Sequence, residues 1–158
     1  MAIEINEELK TILNEPSSIK MLASLDEKGN INLVAKGSLR LSEDETELIY
    51  YELIEASRTN KNLTGSLWFN RQVAVNVVSK NGISYQLHGS PVRAVIAGKE
   101  FEEAYKHVIA RNSDNDLAVV YHIRIDSVKN ESYPIRLAEE QKKHPLYVHL
   151  DKLAKKNK

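Results

Sequence analysis

The chain has 158 residues, 42% hydrophobic and 28% charged, with 22 basic and 22 acidic side chains that cancel and no cysteine. That is the profile of one ordinary domain, long enough to bury about 68–70% of its unfolded surface without covalent staples. It excludes disulfide scaffolds, thiol enzymes and cysteine-ligated metal centres, and charge neutrality argues against a general nucleic-acid binder. The longest apolar stretch, Val73–Val78, is interrupted by Asn76 and falls far short of the roughly 18 residues of a membrane helix. The acidic start, Met1-Ala2-Ile3-Glu4, is unlike a signal peptide and, with the missing cysteines, points to the cytoplasm.

In chain order, Ile5, Leu9, Ile12 and Leu13 recur at helical spacing and Pro16 stops the run, which predicts a short amphipathic helix over 5–14. Ile19–Leu25 and Ile31–Leu41 read as strands joined by the turn residues Asp26–Asn30, a first hairpin. After the charged turn at 42–47, Leu48-Ile49-Tyr50-Tyr51 has the composition of a third strand. Thr59–Leu67 lacks period-two alternation and reads as a helix with Ser57 near its cap. Gln72–Ser79 is a β-branched fourth strand, and Asn81-Gly82, a dipeptide that tolerates positive φ at both positions, turns it into a long fifth strand, Ile83–Val95. Gly89-Ser90-Pro91 predicts a bend within that strand. A helix after Gly98 carries Phe101, Ala104, Tyr105 and Val108 on one face, and Leu117–Val128 is the sixth strand. Residues 132–158, with Pro134 and Pro145, predict one or two short helices and a solvated basic end at Lys152, Lys155, Lys156 and Lys158. Six hairpin-connected strands with few helices predict a mainly β (α+β) chain, an antiparallel barrel with peripheral helices over 1–131, followed by a helical extension over 132–158.

The common nucleotide-binding and hydrolase signatures are missing, and the five histidines are scattered without metal-ligand spacing. Two segments carry more chemistry. Lys36-Gly37-Ser38 sets a cation, a glycine and a hydroxyl in an apolar strand, a combination suited to an anion or to an ordinary outward-facing lysine. Ser57-Arg58-Thr59-Asn60-Lys61-Asn62 joins two hydroxyls and an arginine fork to helix N-terminal amides, groups suited to a phosphate or to a plain capped surface helix.

Taken in order, a strand reaching Lys-Gly, an aromatic strand, a Ser-Arg-Thr helix start, two long strands joined by Asn-Gly, and Gly-Ser followed by Glu-Phe-Glu-Glu-Ala resemble the FMN-binding split β-barrel superfamily typified by pyridoxamine 5′-phosphate oxidase. The resemblance runs from about 19 to 128. It implies a six-stranded split barrel that holds FMN in a groove between the subunits of a homodimer. By the family pattern Lys36, Ser57 and Arg58 grip the phosphate, with Thr59 in place of the usual lysine and Asn62 as a helper, while Gln86 contacts the flavin. Gly37 and Ser38 flank the lysine. Tyr50, Tyr51, Trp68 and Phe69 are the large residues nearest the phosphate segment, available to the isoalloxazine ring or to core and interface packing. Ile31 stands where the oxidases carry an arginine, and their C-terminal Arg-x-His has no counterpart, so the resemblance does not extend to pyridoxamine phosphate oxidation itself. It implies a flavin-dependent oxidoreductase passing hydride or electrons between a small-molecule donor and acceptor. The alternatives are a non-catalytic flavin carrier or sensor, and, given Thr59, a split barrel that uses a deazaflavin, haem or no cofactor.

Overall fold

A computed structural model describes residues 3–155; the expected basic end at Lys156 and Lys158 lies outside the described residues. The helices are α1 (Glu7–Asn14), α2 (Arg58–Phe69), α3 (Lys99–Arg111), α4 (Tyr133–Lys143) and α5 (Leu150–Lys155). The strands are β1 (Ile19–Leu25), β2 (Ile31–Ala35), β3 (Arg40–Leu41), β4 (Glu47–Glu52), β5 (Val73–Val78), β6 (Ser84–Val95) and β7 (Val119–Asn130), ordered β2-β1-β5-β6-β7-β4-β3 in one antiparallel sheet.

Seven strands form where six were expected, because the predicted second strand breaks at Lys36–Leu39. The break has a topological cause: β2 and β3 are consecutive in the chain yet occupy opposite edges of the sheet. Laid flat, those edges would stand about 29 Å apart, six spacings of ~4.8 Å. The link between them spans at most about 18 Å. The sheet therefore curls into a half-barrel, and Lys36–Leu39 crosses the gap between its edges.

Leu22, Leu48, Tyr50, Leu63, Val75, Leu87, Tyr121 and Ile123 fill the interior, and α1 adds Leu9, Ile12 and Leu13. The bend predicted in the fifth strand is present: the β6–β7 register shifts at His88/Gly89 and again at Pro91/Arg93. A Cβ on Gly89 would lie 2.6 Å from the Ile123 side chain and 2.7 Å from the Arg124 carbonyl, so the close approach of β7 requires glycine there. The Asn-Gly turn differs from expectation, since only Gly82 takes positive φ (80°). The Ser79 hydroxyl accepts from the amides of Asn81 and Ile83, fixing the three-residue loop Lys80-Asn81-Gly82 that the strand bounds predict.

On the outer face of β4 and β7, Ile49, Tyr51 and Val120 pack under Ala104 and Val108 of α3. Tyr105, expected on that packing face, is exposed. A polar cluster anchors the start of the helix: buried His122 contacts Glu47 at 2.7 Å through Nδ1 and Glu100 through Nε2, and Arg93 bonds Glu100 at 2.9 Å. Partial burial raises the Glu100 pKa, but the hydrogen bond and charge of His122, and then Arg93, outweigh it and hold the carboxyl below its usual range. With its first turn fixed there, α3 delivers its last turns to the end of β4.

Candidate functional site

A cavity of about 660 Å³ opens where the Lys36–Leu39 crossing, the end of β4, the end of α1 and the last turns of α3 meet. Its volume falls within the range of small-molecule sites, about 300–1,000 Å³. Of the residues singled out in the sequence, Lys36, Gly37, Ser38, Tyr50 and Tyr51 line it.

The walls follow from local structure. Ser38 lies opposite Tyr51, two steps beyond the β3–β4 ladder, and its hydroxyl donates to the Tyr51 carbonyl (3.0 Å) and accepts from the Tyr51 amide (3.1 Å). It thus extends strand pairing with a side chain and holds the crossing against β4. Gly37 has ordinary φ and open space around it, so no protein contact requires glycine at this point. Tyr50 stacks on Tyr121 at 6.2 Å between ring centroids, and the guanidinium of Arg40 lies 4.4 Å from the centre of the Tyr51 ring.

Period two along β4 turns Leu48, Tyr50 and Glu52 to the same face, so this acid is carried inward to 1% exposure. Both oxygens of its carboxylate are engaged. Oε2 accepts from the Tyr50 hydroxyl at 2.6 Å and the Ser57 hydroxyl at 2.7 Å, with the Lys36 ammonium 3.7 Å away, and Oε1 accepts from the Ile54 amide at 3.0 Å. Burial first, then the hydrogen bond to Glu52 and its charge, push the Tyr50 pKa far above the usual phenol value, so the phenol remains a donor. Ser57 also caps α2, accepting from the Asn60 amide at 2.9 Å. Two members of the expected phosphate grip, Lys36 and Ser57, therefore converge on an internal carboxylate.

The other sequence candidates lie elsewhere. Arg58 is exposed and forms no ion pair among the described residues. Thr59 is buried and accepts from the Asn32 side chain at 3.2 Å, and Asn62 donates to the Ser24 hydroxyl at 3.1 Å, so both tie α2 to the first hairpin. Gln86 sits on the outer face of β6 between Asn76 and Lys129, away from the cavity. Trp68 and Phe69 are 78% and 72% exposed.

Residues the sequence reading did not select complete the cavity. Lys20, Arg40 and Arg111 line it with His107, and none of the three cations has an acidic partner among the described residues. The Lys20 ammonium donates instead to the carbonyls of Leu13 (3.1 Å) and Leu39 (2.7 Å). Burial, followed by the charge of Arg111, lowers its pKa. His107 meets the Tyr51 ring edge-on at 6.2 Å. A helical spacing of four between His107 and Arg111 was the available signal for the α3 contribution. With Glu52 already matched to Lys36, the cavity carries a surplus of positive charge beside two tyrosine rings. No group of three metal-ligating side chains occurs among the described residues.

No family model and no curated protein matches the chain. Solved structures do. HupZ of Group A Streptococcus superposes with a TM-score of 0.68 at 24% identity, covering 82% of this chain and 96% of its own. An FMN-binding protein from Syntrophomonas wolfei gives 0.62 at 14% identity, covering 78% and 83%. HutZ, the haem storage protein of Vibrio cholerae, gives 0.57 at 12% identity, covering 78% and 92%. The chain has the split-barrel fold that these structures share.

Proposed function

We propose that the protein binds an anionic aromatic redox cofactor of the flavin class, with FMN as the first choice, in the cavity at the end of β4. It then acts as an oxidoreductase or electron carrier toward a small acceptor. The observation that carries this reading is the charge imbalance of the cavity, where Lys20, Arg40 and Arg111 lack acidic partners and stand beside Tyr50 and Tyr51. FMN joins a flat ring system to a phosphate and meets both requirements.

The fit is divided within the site. The three unpaired cations and the tyrosines suit the ligand, whereas the Lys36–Ser57 corner does not suit its phosphate, because Glu52 already holds both residues. This reading accordingly assigns the phosphate to Arg40, Arg111 and Lys20. A bound flavin supplies the hydride and electron chemistry, and the chain supplies binding, orientation and electrostatics.

A homodimer in the cytoplasm belongs to the same proposal. Its support is an apolar edge: on the edge strand β2, Ile31 is 75% exposed and Leu33 is exposed beside it, a strand edge that a second copy would cover.

Haem is the second reading. His107 favours it, since an imidazole facing the cavity beside Arg40 and Arg111 offers an iron ligand next to cations for two carboxylates.

Titration of the purified protein with FMN and, separately, with haem, followed by desalting and absorption spectroscopy, separates the two. Retained flavin bands are the expected result, and in Arg111→Ala FMN affinity falls roughly tenfold, the effect of losing one charge-assisted hydrogen bond, with the unfolding midpoint unchanged. A retained Soret band without flavin selects haem. Retention of neither removes both readings.

A further inference from the structure

We infer that Glu52 is a specificity determinant: a built-in carboxylate that closes the Lys36–Ser57 corner to phosphate groups and directs the anionic end of any ligand to the Arg40–Arg111 side of the cavity. The second half rests on the cofactor reading above; the first stands on the corner's own geometry.

A phosphate near neutral pH brings between one and two negative charges and several acceptor oxygens, and needs donors that are free. In this corner they are committed. The proton of the Ser57 hydroxyl goes to Glu52 Oε2 and an oxygen lone pair takes the Asn60 amide. The Tyr50 proton goes to the same Oε2, and the Lys36 ammonium lies 3.7 Å from it. The raised Tyr50 pKa agrees with a phenol that keeps its proton facing that acceptor. An incoming phosphate would have to take donors from a 1% exposed carboxylate and then lie against it, like charge beside like charge. Arg40 and Arg111, on the other walls of the cavity, form no ion pair among the described residues. The two ends of one cavity thus differ in what they accept. The corner is balanced from within, and the Arg40–Arg111 side awaits an anion.

The experiment is an amide-resolved NMR titration of wild type and Glu52→Gln with inorganic phosphate, paired with FMN binding measured by fluorescence. In wild type, phosphate leaves the amides of 57–60, which belong to the corner and not to the Arg40–Arg111 side, unmoved. In Glu52→Gln the same amides shift saturably and FMN affinity rises roughly tenfold, as expected when a phosphate acquires one charge-assisted hydrogen bond. Adding Lys36→Gln to that variant abolishes the increase. Saturable phosphate shifts at these amides in wild type overturn the inference, and that arm requires no variant to fold. A folded Glu52→Gln protein that shows no phosphate response overturns it equally. Should FMN bind neither protein while phosphate enters the corner only in Glu52→Gln, the cofactor reading falls and the role of Glu52 stands.

Discussion

Strand β4 carries two acids, Glu47 and Glu52, and they build polar clusters on its opposite faces. On the outer face Glu47 contacts buried His122, which also meets Glu100, with Arg93 completing the set; α3 lies over the cluster, and Glu100 lines a second, smaller cavity of about 310 Å³ together with Arg40, Glu103 and His107. On the inner face Glu52 gathers Tyr50, Ser57 and Lys36, and the cavity opens directly beside it. Both clusters are internally matched, so burial of charge does not tell them apart. What distinguishes them is the neighbourhood. The inner cluster borders the cavity of about 660 Å³ with Lys20, Arg40 and Arg111, none of which forms an ion pair among the described residues, whereas the outer cluster borders the apolar packing of α3 and the smaller cavity, where Glu103 adds a further acid. Unpaired charge beside a matched cluster is the feature on which the proposed site rests.

The strongest test of this contrast replaces each central residue. Glu52→Leu leaves the Lys36 ammonium and the Tyr50 and Ser57 hydroxyls facing an apolar group, and should cost about 3–5 kcal/mol of folding free energy, the range for removing one member of a buried ion pair. Urea unfolding measures it; a loss below about 1 kcal/mol would mean that solvent reaches the corner. His122→Ala should cost less, about 1–3 kcal/mol, because Glu47 and Glu100 are partly exposed and water takes over their bonding. FMN affinity should stay within about twofold in that protein, since His122 does not line the cavity. The acid limb should change as well. Glu100 has a lowered pKa in the folded state, so its contribution is present above the unfolded carboxylate value of 4.5 and is lost as pH falls through the folded value. Without His122 that acid-sensitive component shrinks, and the pH dependence of the unfolding midpoint below about pH 5 should flatten.

The sequence disclosed the fold wherever a local steric rule governs it. Gly89 and Pro91 announced the bend in β6, Ser57 announced the start of α2, and Pro16 the end of the region holding α1. It concealed the division of β2 from β3, because apolar residues resume at Leu39 and Leu41 after Lys36-Gly37-Ser38, and the switch of sheet edge is imposed by closure of the whole sheet. The site divides the same way. Lys36, Gly37, Ser38 and Tyr50 were visible, since an unusual residue in an apolar strand stands out locally, and they do line the cavity. Glu52 was concealed, because a charge at a strand end reads as solvated until Ser57 and Lys36 are brought to it from outside the strand. Arg111 reaches the cavity only through the docking of α3, a contact no local pattern encodes.

The smallest expected effect concerns Lys20, and it sharpens the contrast by asking whether the surplus charge is the working part of the cavity. Its pKa is lowered in the folded protein, first by burial and then by Arg111, so near the top of the pH range it loses its proton before an exposed lysine would. Two opposite consequences follow from that one shift. Folding binds fewer protons at this residue than unfolding does, so its contribution to stability rises as pH climbs from the lowered value toward 10.5. An anionic ligand prefers the protonated ammonium, so affinity falls over the same interval. Binding of FMN measured between pH 7 and 10 should therefore weaken while the unfolding midpoint of the free protein does not fall in parallel from this residue, and Lys20→Met should remove the Lys20-dependent part of both trends. An affinity that stays flat with pH in wild type and variant alike would place the anion away from Lys20 and leave Arg40 and Arg111 to hold it.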